Sequence, residues 1–398
     1  MPTLLNRTFA LLNNIKPPFS PERVDKENTP SDTETNDQKL TSPKTEYAPD
    51  MTIWKAAELG NLEALQYYVR HTNGVDPVTL LNTRDPESNC TLLHLVISNN
   101  NNNSSNMEQL VRFLLENGAD GTARNVYNVQ AIHMISLHCP NPLSCIQLLL
   151  DHSSNPNARD GDGWTPLHYA ARFCQPPDKI VQLLTERGAD VNLIDAGHKS
   201  PLFGLLANGD FTTCLDWLIH HAGADVTLLG DFFDQQDRIT RQGTIVLQAA
   251  KYGRLESLSL LIKSRHVLNK LAQVVTQDQM DYANKLVKEQ QARLSKSTDL
   301  LERYNLILQL LQELEDTLLK DRHSLMYKAA ERSLPSKAIQ RRYPSIRTLV
   351  ETFRRRRHSP KQDSTTTSKI TKRMNSLMGR DSSEHRLGSN EMSSGISR

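Results

Sequence analysis

The sequence predicts an all-α solenoid of about six helix-turn-helix units with β-turn or hairpin fingers. A long helix with coiled-coil spacing follows, and disordered tails flank both. Three observations predict this. A short tetrad opening on Thr, Ser or Gln recurs six times, each copy leads into a second apolar helix, and no Gly or Pro occurs from Arg254 to Leu334.

The clearest copy is DGDGWTPLHYAA at 160–171. Gly161 and Gly163 tolerate positive φ, Thr165 can cap a helix with its hydroxyl, and Pro166 suits the first helical turn. Leu167, Ala170 and Ala171 then give one small apolar face. Aligned starts are Thr52–Lys55, Thr91–His94, Gln130–His133, Thr165–His168, Ser200–Phe203 and Thr244–Leu247, at intervals of 39, 39, 35, 35 and 44 residues. The second helices read LEALQYYV, MEQLVRFLL, LSCIQLLL, KIVQLLTE, TTCLDWLIH and LESLSLLI. Three end in Gly-Ala-Asp, at Gly118–Asp120, Gly188–Asp190 and Gly223–Asp225, where Gly is the expected helix stop.

This array resembles the ankyrin-repeat family, with its TPLHxA start and GAD end, over about residues 51–265. Trp164–Ala171 and Gly188–Asn192 match best. The family has Gly two residues before the Thr. Gly163 fits, whereas Asn89, Asn128 and His198 stand at that place in other copies; both residue types enter positive φ more readily than most. The sixth copy has Gln242 there with Gly243 one residue late, after a longer connection at Leu228–Gln242, so its turn is in doubt. Ser98–Asn106, SNNNNNSSN, reads as a polar surface insertion.

The resemblance implies that His94, His133 and His168 sit at buried helix starts and bond backbone or Thr groups, rather than act in catalysis. No paired carboxylates, nucleophile elbow or phosphate loop accompanies them, so the chain is not expected to be an enzyme and no cofactor is implied. It also implies that proteins are bound through fingertips and the concave face, which nominates Trp164, Tyr169, Arg172, Phe173 and Lys199; for Trp164 the competing reading is packing on the neighbouring finger. A zinc site from His133, His138, Cys139, Cys145 and His152 matches no common spacing. The five cysteines, without a CxxC pair, read as small apolar side chains in a reducing compartment.

After the repeats, residues 266–334 are expected to be one long helix. From Met280 a 4,3 spacing selects Met280, Ala283, Val287, Leu294, Leu301, Tyr304, Leu308, Leu311, Leu318 and Leu325, broken by Gln290, Ser297, Glu315 and Arg322. Association with a copy or another chain through 280–325 is the favoured outcome, and folding back on the last repeat the alternative. Either way, the last repeat needs a cover for its apolar face.

Residues 1–50 are rich in Ser, Thr, Pro and acid and are read as disordered. They hold phosphorylation candidates Ser20 and Ser42, and Lys26-Glu27-Asn28 resembles a KEN degron. Leu5, Phe9 and Leu12 share a helical face. Residues 335–398 carry 15 Lys and Arg against 5 Asp and Glu, whereas residues 51–334 carry 26 against 32. In the tail, Ile346, Leu349, Val350 and Phe353 precede the basic run Arg354, Arg355, Arg356 and Arg357, and Ser359 is a further phosphorylation candidate. The four arginines read as a nuclear import signal, as part of a membrane-docking segment over 346–357, or as a solvated charge cluster. Nothing resembles a DNA-binding fold, so no specific nucleic acid is expected. No apolar run spans a membrane and no secretion signal is seen. The reading is an adaptor or scaffold in nucleus or cytoplasm, with phospho-regulated tails and a cell-cycle or transcription-linked role. The alternative is a scaffold docked on membrane through 346–357.

Overall fold

The computed structural model describes residues 49–332 apart from 73, 100–103, 235–236 and 294–297. The chain forms two compact units, residues 1–311 and 312–398, and the repeats lie in the first. Several expectations of the tails fall outside the described residues. They are the degron-like tripeptide, the phosphorylation candidates Ser20, Ser42 and Ser359, and the import or lipid-binding candidates Arg354, Arg355, Arg356 and Arg357 with the whole segment 346–357.

Six helix pairs appear where the tetrads place them. They are α1 (Ile53–Leu59) and α2 (Leu62–Arg70); then, after the short α3 (Pro77–Leu81), α4 (Leu92–Asn99) and α5 (Ser104–Glu116). Next come α6 (Ala131–His138) with α7 (Pro142–Asp151), α8 (Pro166–Phe173) with α9 (Asp178–Glu186), and α10 (Pro201–Asn208) with α11 (Thr212–His220). The last pair is α12 (Ile245–Lys251) with α13 (Leu255–Lys263). First helices stack in the order α1, α4, α6, α8, α10, α12, forming an inner layer; α5, α7, α9, α11 and α13 form an outer one. The core between them is aliphatic: Leu92, Leu110, Ile132, Leu149, Leu167, Leu184, Leu202, Leu215, Leu247 and Leu258 are all at most 2% exposed. The SNNNNNSSN stretch is not wholly an insertion, because its ends finish α4 and open α5. All five cysteines are buried free thiols.

The turn positions hold. Asn89, Asn128 and His198 take φ of 56°, 60° and 57°, as Gly163 does at 81°. The doubtful sixth turn is replaced by a hairpin. Strand β1 (Gly230–Asp234) pairs antiparallel with β2 (Ile239–Gly243), Gly230 opposite Gly243. Gln242 thus sits in a strand.

The expectation of one long helix after the repeats is corrected. The segment forms α14 (Arg265–Val274), α15 (Gln277–Arg293) and α16 (Thr298–Arg332), which runs on into the second unit. The stop at 275–276 is a cap rather than a Gly or Pro. The Thr276 hydroxyl accepts from the Gln279 N–H at 3.3 Å, in a Thr-x-x-Gln sequence that suits a helix start. The favoured association through 280–325 is also corrected for its first half. Helix α15 packs on α12 as a seventh inner helix, and α14 packs on α13. Met280, Ala283 and Val287, the first residues of the expected seam, are buried within this chain. The open apolar end of the solenoid is therefore covered in cis.

Candidate interaction surface

The inner face is built by three ladders running from finger to finger. In the first, each tetrad His links two repeats. Nδ1 of His94, His133 and His168 accepts the backbone N–H of Thr91, Gln130 and Thr165 at 3.1–3.2 Å. That fixes the proton on Nε2, which donates to the carbonyls of Val129, Ala158 and Lys199 at 3.0–3.2 Å. Burial pushes all three imidazoles down to about 4, so they are neutral. Both ring nitrogens of each are spent on structure, which answers the catalytic question raised by their recurrence.

In the second ladder, the guanidinium of Arg84 donates to the carbonyl of Arg124, Arg124 to that of Arg159, and Arg159 to that of Ile194, at 2.8–2.9 Å. In the third, the N–H groups of Val126, Gly161, Ala196 and Asp231 donate to the carbonyls of Ser88, Tyr127, Asp162 and Gly197 in the preceding finger, at 2.8–3.0 Å. The fingers are thus a rigid comb, and side chains mounted on them are held in fixed positions.

Two clusters ride on this comb. The first is aromatic and lies on the fourth repeat. Trp164 meets Tyr169 edge-on at 5.5 Å and stacks near Phe173 at 6.1 Å, while the Arg172 guanidinium lies 5.4 Å over Phe173. Trp164, Arg172 and Phe173 are half-buried and so present part of their surface. Tyr169, nominated as a surface residue, is 2% exposed. Its hydroxyl donates to the Asp160 carboxylate at 2.7 Å. The other Asp160 oxygen accepts the backbone N–H of Asp162 and Trp164. Tyr169 therefore sets the finger that carries Trp164; it is a buttress and not a contact.

The second cluster joins the fifth and sixth repeats, and the motif pattern shows only one of its members. The Lys199 ammonium lies 5.0 Å from the centroid of the Phe232 ring. From the opposite element, the Lys251 ammonium lies 5.6 Å from the same ring and 5.7 Å from that of Tyr252. Phe232 is seated by two glycines that face each other across the hairpin. A Cβ at Gly243 would fall 3.0 Å from the Phe232 ring and 2.3 Å from Leu247, and one at Gly230 would fall 2.6 Å from Lys199 Cγ. Burial holds both lysines below the ordinary lysine range, opposed at Lys199 by Asp195 and Asp231 and reinforced at Lys251 by Lys199 itself. Phe232 lies in the elongated connection, where no tetrad position points to it; Lys251 stands in the sixth repeat at the place Arg172 holds in the fourth, seven residues after the opening Thr.

Among the residues weighed for zinc, Cys139 and Cys145 meet through a side-chain hydrogen bond, but the set does not form a cluster. His133 and His152 spend ring nitrogens on the carbonyls of Ala158 and Leu148. Among the described residues, no group of three or more His, Cys, Asp or Glu side chains is placed to hold a metal. Nor is any described helix long and apolar enough to cross a membrane.

Comparison with known proteins bears on the repeats. The family model for ankyrin repeats (3 copies) matches residues 53–160 and 103–195. No curated protein matches the chain. Among solved structures, the crystal structure of the ankyrin repeat domain of Bcl-3, described as a unique member of the IkappaB protein family, is 26% identical; the match covers 55% of this chain and 88% of that one, with a TM-score of 0.42. Residues 53–195 of this chain are ankyrin repeats.

Proposed function

We propose that the chain is a non-enzymatic adaptor that binds a protein partner on the inner face of its repeats. Ankyrin repeats are protein-interaction modules. The observation that carries the proposal is the partly exposed set Trp164, Arg172 and Phe173, fixed in place by the buried Tyr169. Aromatic and Arg side chains held rigid at a surface are the residue types that dominate binding energy, because little entropy is lost when they are covered. Lys199 extends the same face into the fifth finger. The tails are the regulatory part of this reading, through phosphorylation at Ser20, Ser42 and Ser359 and nuclear import by Arg354, Arg355, Arg356 and Arg357.

The test is proximity labelling in cells with the full chain and with a Trp164→Ala, Phe173→Ala variant whose unfolding midpoint is close to that of the parent. A set of neighbours present for the parent and lost for the variant supports the inner face as the binding surface. An unchanged set would remove it from consideration.

A further inference from the structure

The Lys199–Lys251 pair is out of keeping with its surroundings. Residues 51–334 hold fewer basic than acidic side chains, yet two ammonium groups converge on one buried phenyl ring from separate repeats. Among the described residues, neither makes an ion pair. The carboxylates nearest Lys199 are already committed. Asp195 Oδ1 accepts the backbone N–H groups of Gly197 and Lys199 at 2.8 and 2.9 Å. Asp231 Oδ2 bonds His198 Nδ1 at 2.9 Å.

The face of a phenyl ring attracts a cation, but it supplies no negative charge. Two half-buried like charges therefore face each other without an ion pair, relieved only at Lys199 by the field of Asp195 and Asp231, a costly arrangement. The backbone holds it rigidly all the same. The Lys199 carbonyl is gripped by His168 and its N–H by Asp195, while Gly230 and Gly243 leave room for the lysine stem and the ring. Beside the pair, the inner helix of the fifth repeat carries small residues. Gly204 and Ala207 occupy the places that Tyr169 and Arg172 hold in the fourth repeat and Gln248 and Lys251 in the sixth. A Cβ at Gly204 would make only ordinary contact with Arg172 Cβ and the His168 carbonyl, at 3.5 Å. Repeat five thus carries no bulky side chain at these two positions, with Arg172 of the fourth repeat packed against Gly204.

We propose that the lysine pair receives an acidic peptide segment of the protein partner, with a carboxylate side chain seated between the ammonium groups of Lys199 and Lys251. The assignment rests on the inner-face reading above and adds the chemistry of the partner. A carboxylate takes charge-assisted hydrogen bonds from both ammonium groups at once, and its arrival removes their mutual repulsion.

The experiment is fluorescence anisotropy of a labelled ten-residue glutamate peptide titrated with the full chain at low salt, against Lys199→Gln, Lys251→Gln, the double variant and the outer-layer control Lys263→Gln. Either single change is expected to weaken binding several-fold and the pair at least about tenfold, with the control unchanged. Unfolding in the absence of peptide is the second readout: Lys251→Met should raise the urea midpoint, because it removes an uncompensated charge. Absence of peptide binding, equal loss in Lys263→Gln, or a lowered midpoint for Lys251→Met would each overturn the assignment. So would a deoxythymidine ten-mer that binds as tightly and depends equally on both lysines. The proximity-labelling test is independent of these results. If it retains a Trp164-dependent partner while the glutamate peptide fails, the acidic chemistry is wrong and the inner-face reading stands. If the peptide binds through both lysines but no Trp164-dependent neighbour exists, the reverse holds.

Discussion

Arg303 and Asp210 are 93 residues apart in sequence, and their side chains meet at 2.5 Å. The same guanidinium reaches Glu256 at 2.6 Å and the Gly253 carbonyl at 2.7 Å. Asp210, at the turn between the helices of the fifth repeat, also accepts the backbone N–H of Ser257 at 2.7 Å and so caps α13 from outside its own repeat. One carboxylate thereby ties the fifth repeat, the sixth repeat and the start of α16 together.

Asp210→Ala should consequently be more damaging than loss of an ordinary surface carboxylate. It removes a helix cap and leaves Arg303 without its closest partner, at an expected cost of about 2–3 kcal/mol. Urea unfolding measures the loss. Hydrogen exchange should quicken both at Glu256–Ser257 and in residues 298–311. Faster exchange confined to one of these two segments would show that Asp210 does not couple them.

The neutral tetrad histidines set the pH response. The unfolded chain takes up protons at His94, His133 and His168 near pH 6.5, whereas the folded chain refuses them until about 4. Stability is therefore complete above about pH 6.5, falls as pH drops from there to about 4, and levels off below. Each residue contributes at most about 3 kcal/mol to that fall. Urea midpoints between pH 7.5 and 5, above the range where ordinary carboxylates titrate, isolate the effect. Burial lowers His138 as well, so His168→Gln should flatten the slope by roughly a quarter to a third. A midpoint that does not move over this interval contradicts the assignment.

Thr165 and Ser200 occupy the same tetrad position and should respond oppositely to Ala. The Thr165 hydroxyl lies 2.8 Å from His168 Nδ1 and caps α8. In the fifth repeat Phe203 replaces the His, and the buried Ser200 hydroxyl has no partner among the described residues. Thr165→Ala should cost about 1–2 kcal/mol, while Ser200→Ala should be neutral or mildly stabilising. Equal losses for the two variants would mean that the imidazole does not account for the value of the hydroxyl.

These contrasts show what is legible in the residues. The solenoid can be read because tetrad and second helix recur every 35–44 residues, with Gly-Ala-Asp in three copies, and Asn89, Asn128 and His198 can stand in for Gly because their side chains tolerate positive φ. The division of the C-terminal helix cannot be read from breakers, since Thr276 ends it by capping the next helix. The same apolar spacing serves a partner in trans or a repeat in cis, so Met280, Ala283 and Val287 cannot tell α12 from a second chain. Tyr169 is misplaced by its sequence pattern for a related reason. Its burial comes with contacts outside α8, to Asp160 nine residues upstream and to His133 in the preceding repeat, and periodicity within α8 carries no trace of them. Phe232 escapes the motif reading because the hairpin that seats it beside Lys199 has no tetrad of its own, and without Phe232 nothing in the pattern joins Lys251 to Lys199.

The last prediction concerns that buttress. Tyr169→Phe keeps the ring and its packing on Trp164 and Phe173 but removes the donor from Asp160, whose carboxyl burial already holds above its usual range. With that donor gone, one carboxylate oxygen is buried without its partner and the group is free to turn, so it holds the N–H groups of Asp162 and Trp164 less firmly. Global stability should drop by about 1–2 kcal/mol, and amide exchange at Asp162 and Trp164 should quicken by about tenfold. If the Trp164 finger sets the geometry of partner binding, affinity should fall in this variant although Tyr169 itself is buried, and Tyr169→Ala should not fall further at the finger amides. Exchange at Asp162 and Trp164 equal to that of the parent chain would mean the finger is held by its neighbours alone, leaving Tyr169 as core filling.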